Sequence, residues 1–178
     1  ESFTVRQDDV TTIDVLAARI GRSLAVRVRE LEVARPLPPT IEAGHFVLLG
    51  RTLLDFERDQ QKTTKARVLF ERALSVDPQS ISALQGLARV KLNQLQNGWL
   101  PPESRASELE QTHAVIEKII RLDPRNVGGH YFRGSSLRSR GIRDHAIAAF
   151  EHALSLNPNY ACAHAEIGRG KIEAGRSD

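Results

Sequence analysis

Six histidines and one cysteine are the side chains that could serve metal binding or nucleophilic catalysis in this chain. His130 and His164 stand 34 residues apart, and His145 and His152 stand seven apart. Neither spacing is that of the His-Glu-x-x-His helix motif, and the single Cys162 cannot supply the cysteine pairs of a structural zinc site. We interpret the histidines as packing or solvated residues, with a metal pair as the alternative for His130 and His164.

Signatures of phosphate binding and of nucleophilic catalysis are missing from the sequence as well. Gly128 and Gly129 lie at a predicted helix start without the lysine and the Ser/Thr of a phosphate-binding loop. Cys162 has no His and Asn pattern that would mark a nucleophile, and we interpret it as a small apolar packing residue. We therefore predict no catalytic activity, no cofactor and no metal for this chain.

The charged residues are spread along the chain. The 178 residues include 25 Lys and Arg against 22 Asp and Glu, which gives a net charge of +3. The densest basic stretch, from Arg133 to Arg143, has only Tyr131 and Phe132 as neighbouring aromatic residues. Nucleic-acid-binding domains concentrate their positive charge on one face. We interpret the charge as a solvated surface and predict no nucleic-acid partner; a nucleic-acid footprint is the alternative.

The composition favours helices over strands, because aromatic residues make up only 5% of the chain while Ala, Leu and Arg are abundant. A single cysteine excludes an intramolecular disulfide and fits a reducing compartment, so we expect a cytoplasmic location. No run of 18 apolar residues predicts a membrane-spanning segment. The chain opens on Glu1 and contains no methionine, and we expect it to be a piece of a longer protein.

One nine-residue pattern occurs three times. Residues 70–78 (FERALSVDP) and 150–158 (FEHALSLNP) agree at six of nine positions, and residues 116–124 (IEKIIRLDP) form a looser copy. The closing prolines are separated by 46 and by 34 residues. Small residues let two helices approach closely, a phenylalanine fills the space behind them, and a proline ends the helix. The pattern predicts helix pairs.

A spacing of 34 residues is that of the tetratricopeptide repeat (TPR), and residues 41–178 resemble this family. We divide the region into about three and a half repeats: 41–80, 81–126, 127–160 and 161–178. The resemblance implies an all-α superhelix of antiparallel helix pairs with a concave inner surface.

The repeat frame predicts which residues are buried and where the helices lie. The copy at 127–160 carries Gly134, Ala146, Phe150, Ala153 and Pro158 at the small, small, aromatic, small and proline positions of the repeat. We expect these alanines, with Ala66 and Ala73 of the first copy, to be buried opposite Gly134 and Gly50. Helices are predicted at 41–56, 63–76, 81–97, 104–122, 127–140, 143–156 and 161–175.

Residues 1–35 follow a different pattern. Apolar residues from Val10 to Leu31 recur at spacings of three and four, which predicts one amphipathic helix over 9–33, before a Pro-rich linker at 36–40. We expect this helix to pack against the first repeat or against a second copy of itself, and the second arrangement gives a homodimer.

The stretch from Gln7 to Ile20 resembles the last helix of a TolB-amino-terminal-like domain. In proteobacterial proteins that domain precedes TPRs and follows a class III adenylate or guanylate cyclase domain, or sometimes a DNA-binding regulator. The resemblance implies a bacterial signalling protein, soluble or membrane-associated, as the parent. Our main interpretation is a protein–protein interaction module; a regulatory or dimerisation region of such a cyclase is the alternative.

The resemblance to TPR proteins also implies that the first helix of each pair lines the concave groove. We predict these partner-binding residues there: Arg51, Arg89, Arg169, Gln85, Tyr131 and Arg138. Arg51, Arg89 and Arg169 follow the small residue of their copies, as Ser135 does in the third copy, and we expect a row of side chains. Leu54 and Leu92 would add apolar pockets beside a single tyrosine.

Arginine pairs bidentately with carboxylates, so an acidic, partly apolar protein segment is the expected partner. The alternative is that the arginines bind acidic neighbours inside the stack, such as Asp55 or Glu173. The carboxylate-clamp version of the family has lysine and asparagine where this chain has Val47, Arg51, Gln85 and Arg89. A chaperone-tail ligand is therefore not expected.

Overall fold

The computed structural model describes residues 39–54 and 59–174, and within these ranges it contains seven α-helices, one 3₁₀ turn and no strand. The helices are α1 (Pro39–Leu54), α2 (Gln60–Val76), α3 (Ile81–Gln96), α4 (Arg105–Leu122), α5 (Val127–Ser139), α6 (Arg143–Leu156) and α7 (Ala161–Ala174), with the 3₁₀ turn at Pro102–Ser104. The all-α prediction is confirmed, and the bounds of each helix differ from the predicted ones by three residues or fewer. The helix predicted over 9–33 lies outside the described residues.

Each copy of the repeat ends its second helix with the same turn. The side-chain oxygen of Asp77, Asp123 or Asn157 accepts a hydrogen bond from the backbone N–H two residues further on. Ser80 and Asn126 then cap the next helices, α3 and α5, by accepting from a backbone N–H of the first turn. The proline of the turn prevents continuation of the helix, so consecutive helices fold back on one another.

The first helices of successive pairs lie side by side. Each helix packs against the next one along the chain, and in addition α1 contacts α3 and α3 contacts α5. This arrangement places α1, α3 and α5 in one row, backed by α2, α4 and α6. The row positions the candidate site.

Small residues and phenylalanine rings fill the helix crossings as the repeat frame predicts. The four predicted alanines are buried: Ala66, Ala73, Ala146 and Ala153. A Cβ atom on Gly134 would lie 2.5 Å from the Phe150 ring, and one on Gly50 would lie 2.7 Å from the Phe70 ring. Only glycine therefore fits at these two crossings.

Two of the histidines make the same contact in consecutive copies. His130 Nε2 lies 2.9 Å from the Pro124 carbonyl oxygen, and His164 Nε2 lies 2.8 Å from that of Pro158. The His130 ring also packs edge-on against His152, with 4.2 Å between ring centroids. These contacts support the packing interpretation.

The described residues contain neither a metal-binding cluster nor a helix that could span a membrane. No group of three or more His, Cys, Asp and Glu side chains there could hold a metal ion. None of the helices in the described ranges is long and apolar enough to cross a membrane.

Candidate partner-binding groove

A groove runs across the row of first helices. It consists of two adjoining cavities of about 810 Å³ and 230 Å³, which share Leu54, Arg89, Phe132 and Tyr160 as lining residues. Side chains of α1, α3, α5 and α7 reach it, because these helices are the first members of their pairs.

All six residues predicted to bind a partner line this groove: Arg51, Arg89, Arg169, Gln85, Tyr131 and Arg138. Arg51 and Gln85 line the smaller cavity, and Arg89 lines both. The repeat register thus brings together side chains that are far apart in the sequence.

Two other residues predicted for the groove, Ser135 of the row and Leu92 of the apolar pockets, do not line it. Ser135 and Leu92 are both buried. Ser135 lies close enough to Tyr131 for its hydroxyl to lower the pKa of the phenol, against the effect of burial. Leu92 belongs to α3, which lies between α1 and α5. A side chain of α3 that faces either of these helices is covered by it. The predicted row is interrupted at Ser135, and the apolar pocket predicted at Leu92 was wrong.

The groove is more aromatic than the predicted single tyrosine. The Tyr131 ring lies 5.6 Å from the Phe132 ring and 5.5 Å from the Tyr160 ring, measured between centroids. Tyr160 belongs to the turn before α7 and Phe132 to α5. These three rings, which we call the aromatic cluster, offer an apolar surface between the two cavities.

Cys162 also lines the larger cavity, and its side chain is exposed. The prediction that it is an apolar packing residue was wrong. Cys162 is the second residue of α7, directly after the turn that contains Tyr160.

Charged and polar contacts hold several groove arginines in place. Arg89 Nη2 donates to the Leu54 carbonyl oxygen at 3.1 Å, and Arg105 Nη1 donates to the Leu95 carbonyl oxygen at 2.9 Å. Arg105, at the start of α4, was not predicted to lie here. Because a carbonyl group is neutral, these two hydrogen bonds orient a guanidinium without cancelling its charge.

Glu166 is the only carboxylate among the described residues that line the groove. Its Oε2 lies 3.3 Å from Arg138 Nε, and its Oε1 lies 3.9 Å from Arg169 Nη1. Two of the predicted arginines therefore face an acidic neighbour within the stack, as the alternative interpretation expected. The neighbours named for that role, the side chains of Asp55 and Glu173, lie outside the described residues.

Burial raises the pKa of both tyrosines above their ordinary value of 10.0. Loss of solvation is the largest cause in each case, and for Tyr131 the negative charge of Glu166 acts in the same direction. These are the only tyrosines of the chain, so a phenolate titration reports on the groove alone.

We expect the two tyrosines to titrate above pH 10 in the folded protein and close to pH 10 in concentrated guanidinium chloride. A raised folded-state pKa means that the folded chain binds these protons more tightly. The associated stability is present below the unfolded pKa and is lost as the pH rises through the folded pKa. Ultraviolet absorbance of the phenolate measures both curves. Coincident native and denatured titrations would contradict the burial of these rings.

Comparison with known proteins identifies the fold. Residues 128–160 match the family model of the tetratricopeptide repeat, which coincides with the copy predicted at 127–160. The Arabidopsis OM64 TPR domain is similar with a TM-score of 0.61 and 18% sequence identity, over 76% of this chain and 99% of that one. The fold is that of a TPR domain.

Two further solved structures share this TPR fold. The first TPR of Spaghetti (RPAP3), bound to the HSP90 peptide SRMEEVD, has a TM-score of 0.58 and 15% identity over 76% of this chain and 95% of that one. MamA has a TM-score of 0.59 and 18% identity over 97% of this chain and 87% of that one. No curated protein matches the sequence.

Proposed function

We propose that the groove binds an extended protein segment and that this TPR domain is a protein–protein interaction module. The observation that carries the proposal is the convergence of the six predicted side chains and the aromatic cluster on one groove. The peptide held by the RPAP3 domain supports a peptide ligand for a domain of this fold.

The partner segment that fits this groove is acidic and partly apolar. Among the described residues, five arginines line the groove and Glu166 is the one carboxylate. A guanidinium accepts a carboxylate in a planar, bidentate geometry, and the aromatic cluster provides the apolar contact. Because Val47 and Gln85 replace the residues of a carboxylate clamp, the proposal places the acidic side chains of the segment, not a chaperone tail, on the arginines.

The N-terminal sequence supports a second proposal. Its resemblance to a TolB-like domain favours a regulatory or dimerisation region of a bacterial class III cyclase, located in the cytoplasm and forming a homodimer through residues 9–33. These residues lie outside the described part of the chain. Sedimentation of the whole chain as a monomer would contradict dimerisation through this helix.

Replacing Arg51 and Arg89 together by alanine is expected to weaken the binding of an acidic peptide by more than about tenfold. The probe is a fluorescein-labelled peptide in which glutamates alternate with leucine and tyrosine, and fluorescence anisotropy measures its affinity. A peptide with glutamine in place of each glutamate should bind weakly to both proteins. The melting temperature should remain almost unchanged, because Arg51 and Arg89 are both exposed and substitutions of exposed residues usually have small effects on stability.

The matched control is Arg121→Ala/Arg125→Ala, which removes the same charge from two exposed positions outside the groove. Its affinity for the acidic peptide should change by less than about twofold, since exposed charges at a distance are screened by salt. Unaltered binding by the Arg51→Ala/Arg89→Ala variant would move the site to another surface of the chain.

A further inference from the structure

Glu166 occupies an unusual place in the groove, because the other charged residues among its described lining are all arginines. Its side chain is only 10% exposed and stands between two guanidinium groups, those of Arg138 on α5 and Arg169 on its own helix. The closer contact joins α5 to α7 across the larger cavity. One part of the groove thus contains its own counter-ion.

The contact between Glu166 and Arg138 is an ion pair without an aligned hydrogen bond. Arg138 Nε and Glu166 Oε2 are 3.3 Å apart and buried, yet neither atom has a hydrogen-bond partner among the described residues. By comparison, Arg133 donates from Nη2 to both oxygens of Glu117 at 2.8 Å and 2.7 Å, outside the groove. Glu166 therefore adds a negative charge to this part of the groove without fixing the orientation of the Arg138 guanidinium through hydrogen bonds.

The other part of the groove differs in charge. Arg51 is exposed and forms no ion pair with any described residue, and the smaller cavity that it lines has no carboxylate among its described lining residues. The two parts meet at the aromatic cluster, since Phe132 and Tyr160 line both cavities.

We propose that Glu166 is an internal counter-ion that determines which part of the groove receives the carboxylates of a partner segment. The inference rests on the proposed function. The one negative charge of Glu166 offsets one of the two positive charges of Arg138 and Arg169. The α5–α7 part is therefore less favourable for carboxylates than the α1–α3 part, and uncharged side chains bind there beside Tyr131. A second carboxylate at the α5–α7 part would stand next to the like charge of Glu166, which is unfavourable.

A specificity for segments with two different halves follows from this arrangement. The partner has glutamates or aspartates on one side of an apolar residue and uncharged residues on the other. The apolar residue lies on the aromatic cluster, and the position of the acidic half fixes the direction of the segment in the groove.

The test compares Glu166→Gln with the unchanged chain on two labelled peptides. The half-acidic peptide has glutamates on one side of a Leu-Tyr pair and glutamines on the other, and the fully acidic peptide has glutamates on both sides. We expect Glu166→Gln to bind the fully acidic peptide roughly fivefold more tightly and the half-acidic peptide with unchanged affinity. A gain of binding for one peptide is not what a merely structural role of Glu166 would produce.

Glu117→Gln is the matched control, because it also removes one carboxylate from an ion pair with an arginine but lies outside the groove. It should leave the affinity ratio of the two peptides unchanged. If both variants strengthened the binding of both peptides equally, net charge alone would be responsible and the inference would be overturned.

A second variant keeps the inference testable if Glu166→Gln loses its helical circular dichroism. Arg169 is 52% exposed, so Arg169→Gln is expected to fold. The variant leaves Glu166 beside Arg138 alone, so its binding of the fully acidic peptide should weaken more than its binding of the half-acidic peptide. Equal losses for the two peptides would overturn the inference. If the unchanged chain binds the half-acidic peptide but Glu166→Gln does not bind the fully acidic peptide more tightly, the inference is refuted and the proposed function stands. Binding of neither peptide by any of these proteins refutes the proposed function and the inference together.

Discussion

Replacing Glu108 by leucine is expected to lower the free energy of unfolding by about 3–5 kcal/mol, because it leaves the Lys91 ammonium buried without its counter-ion. Lys91 Nζ lies 2.7 Å from Glu108 Oε1, and the two residues are only 3% and 6% exposed. Arg67 Nη1 contacts the same carboxylate oxygen at 3.3 Å, and Lys91 Nζ also donates to Gln111 Oε1 at 3.0 Å. Urea-induced unfolding followed by circular dichroism measures the change.

The double variant Lys91→Met/Glu108→Leu should recover most of this loss, since apolar residues of similar volume often replace a buried ion pair without cost. Glu110→Leu is the control, because Glu110 is the exposed partner of Arg140 and such a pair contributes less than about 1 kcal/mol. Equal stabilities of Glu108→Leu and Glu110→Leu would show that the ion pair is not buried in the folded chain.

The buried ion pair could not be predicted from the sequence. Lys91 interrupts an apolar stretch of α3, and Glu108 belongs to the polar first turns of α4. A charged residue in an amphipathic helix is usually a surface residue. The partners lie on different helices, and a pair of this kind leaves no periodic signal in the sequence.

The helices themselves could be predicted, because their determinants recur with the repeat. The largest shift of a boundary is at the start of α2, which begins at Gln60 and not at residue 63. Asp59 caps this helix by accepting from the backbone N–H groups of Gln61 and Lys62. The repeat positions used for the prediction, alanines and a phenylalanine further along α2, do not include the capping residue Asp59.

The groove was predictable where its residues follow the repeat register. Arg51, Arg89 and Arg169 occupy equivalent positions of their repeat copies. The repeat register therefore predicts all three to line the groove. Tyr160 comes from a turn, and Arg105 comes from the helix that follows the insertion of the second copy. Neither residue has an equivalent that lines the groove in the other copies. The repeat register therefore could not predict that Tyr160 and Arg105 lie there.

Replacing Phe70 by alanine is expected to cost about 3–5 kcal/mol of unfolding free energy. The Phe70 ring is fully buried, and it lies against a glycine of α1 and a glycine of α3. A Cβ atom would be 2.7 Å from the ring at Gly50 and 2.2 Å at Gly86. Neither neighbour has a side chain that can move into the space, so the cavity stays open and the loss lies near the upper end. Phe46→Ala, at a partly buried position of the same cluster, should cost less.

Because Phe70 contacts Gly86, the effect of Gly86→Ala on the free energy of unfolding should change sign when the Phe70 ring is removed. Gly44 of α1 has nothing within 4 Å of a Cβ position, so Gly44→Ala should stabilise the protein by up to about 1 kcal/mol through helix propensity. Gly86→Ala has the same propensity gain but meets the ring, and we expect a net loss of about 1–3 kcal/mol. In the Phe70→Ala background the ring is gone, and Gly86→Ala should become stabilising, as Gly44→Ala is in the unchanged chain. If Gly86→Ala remained destabilising there, the ring would not be the reason for this glycine.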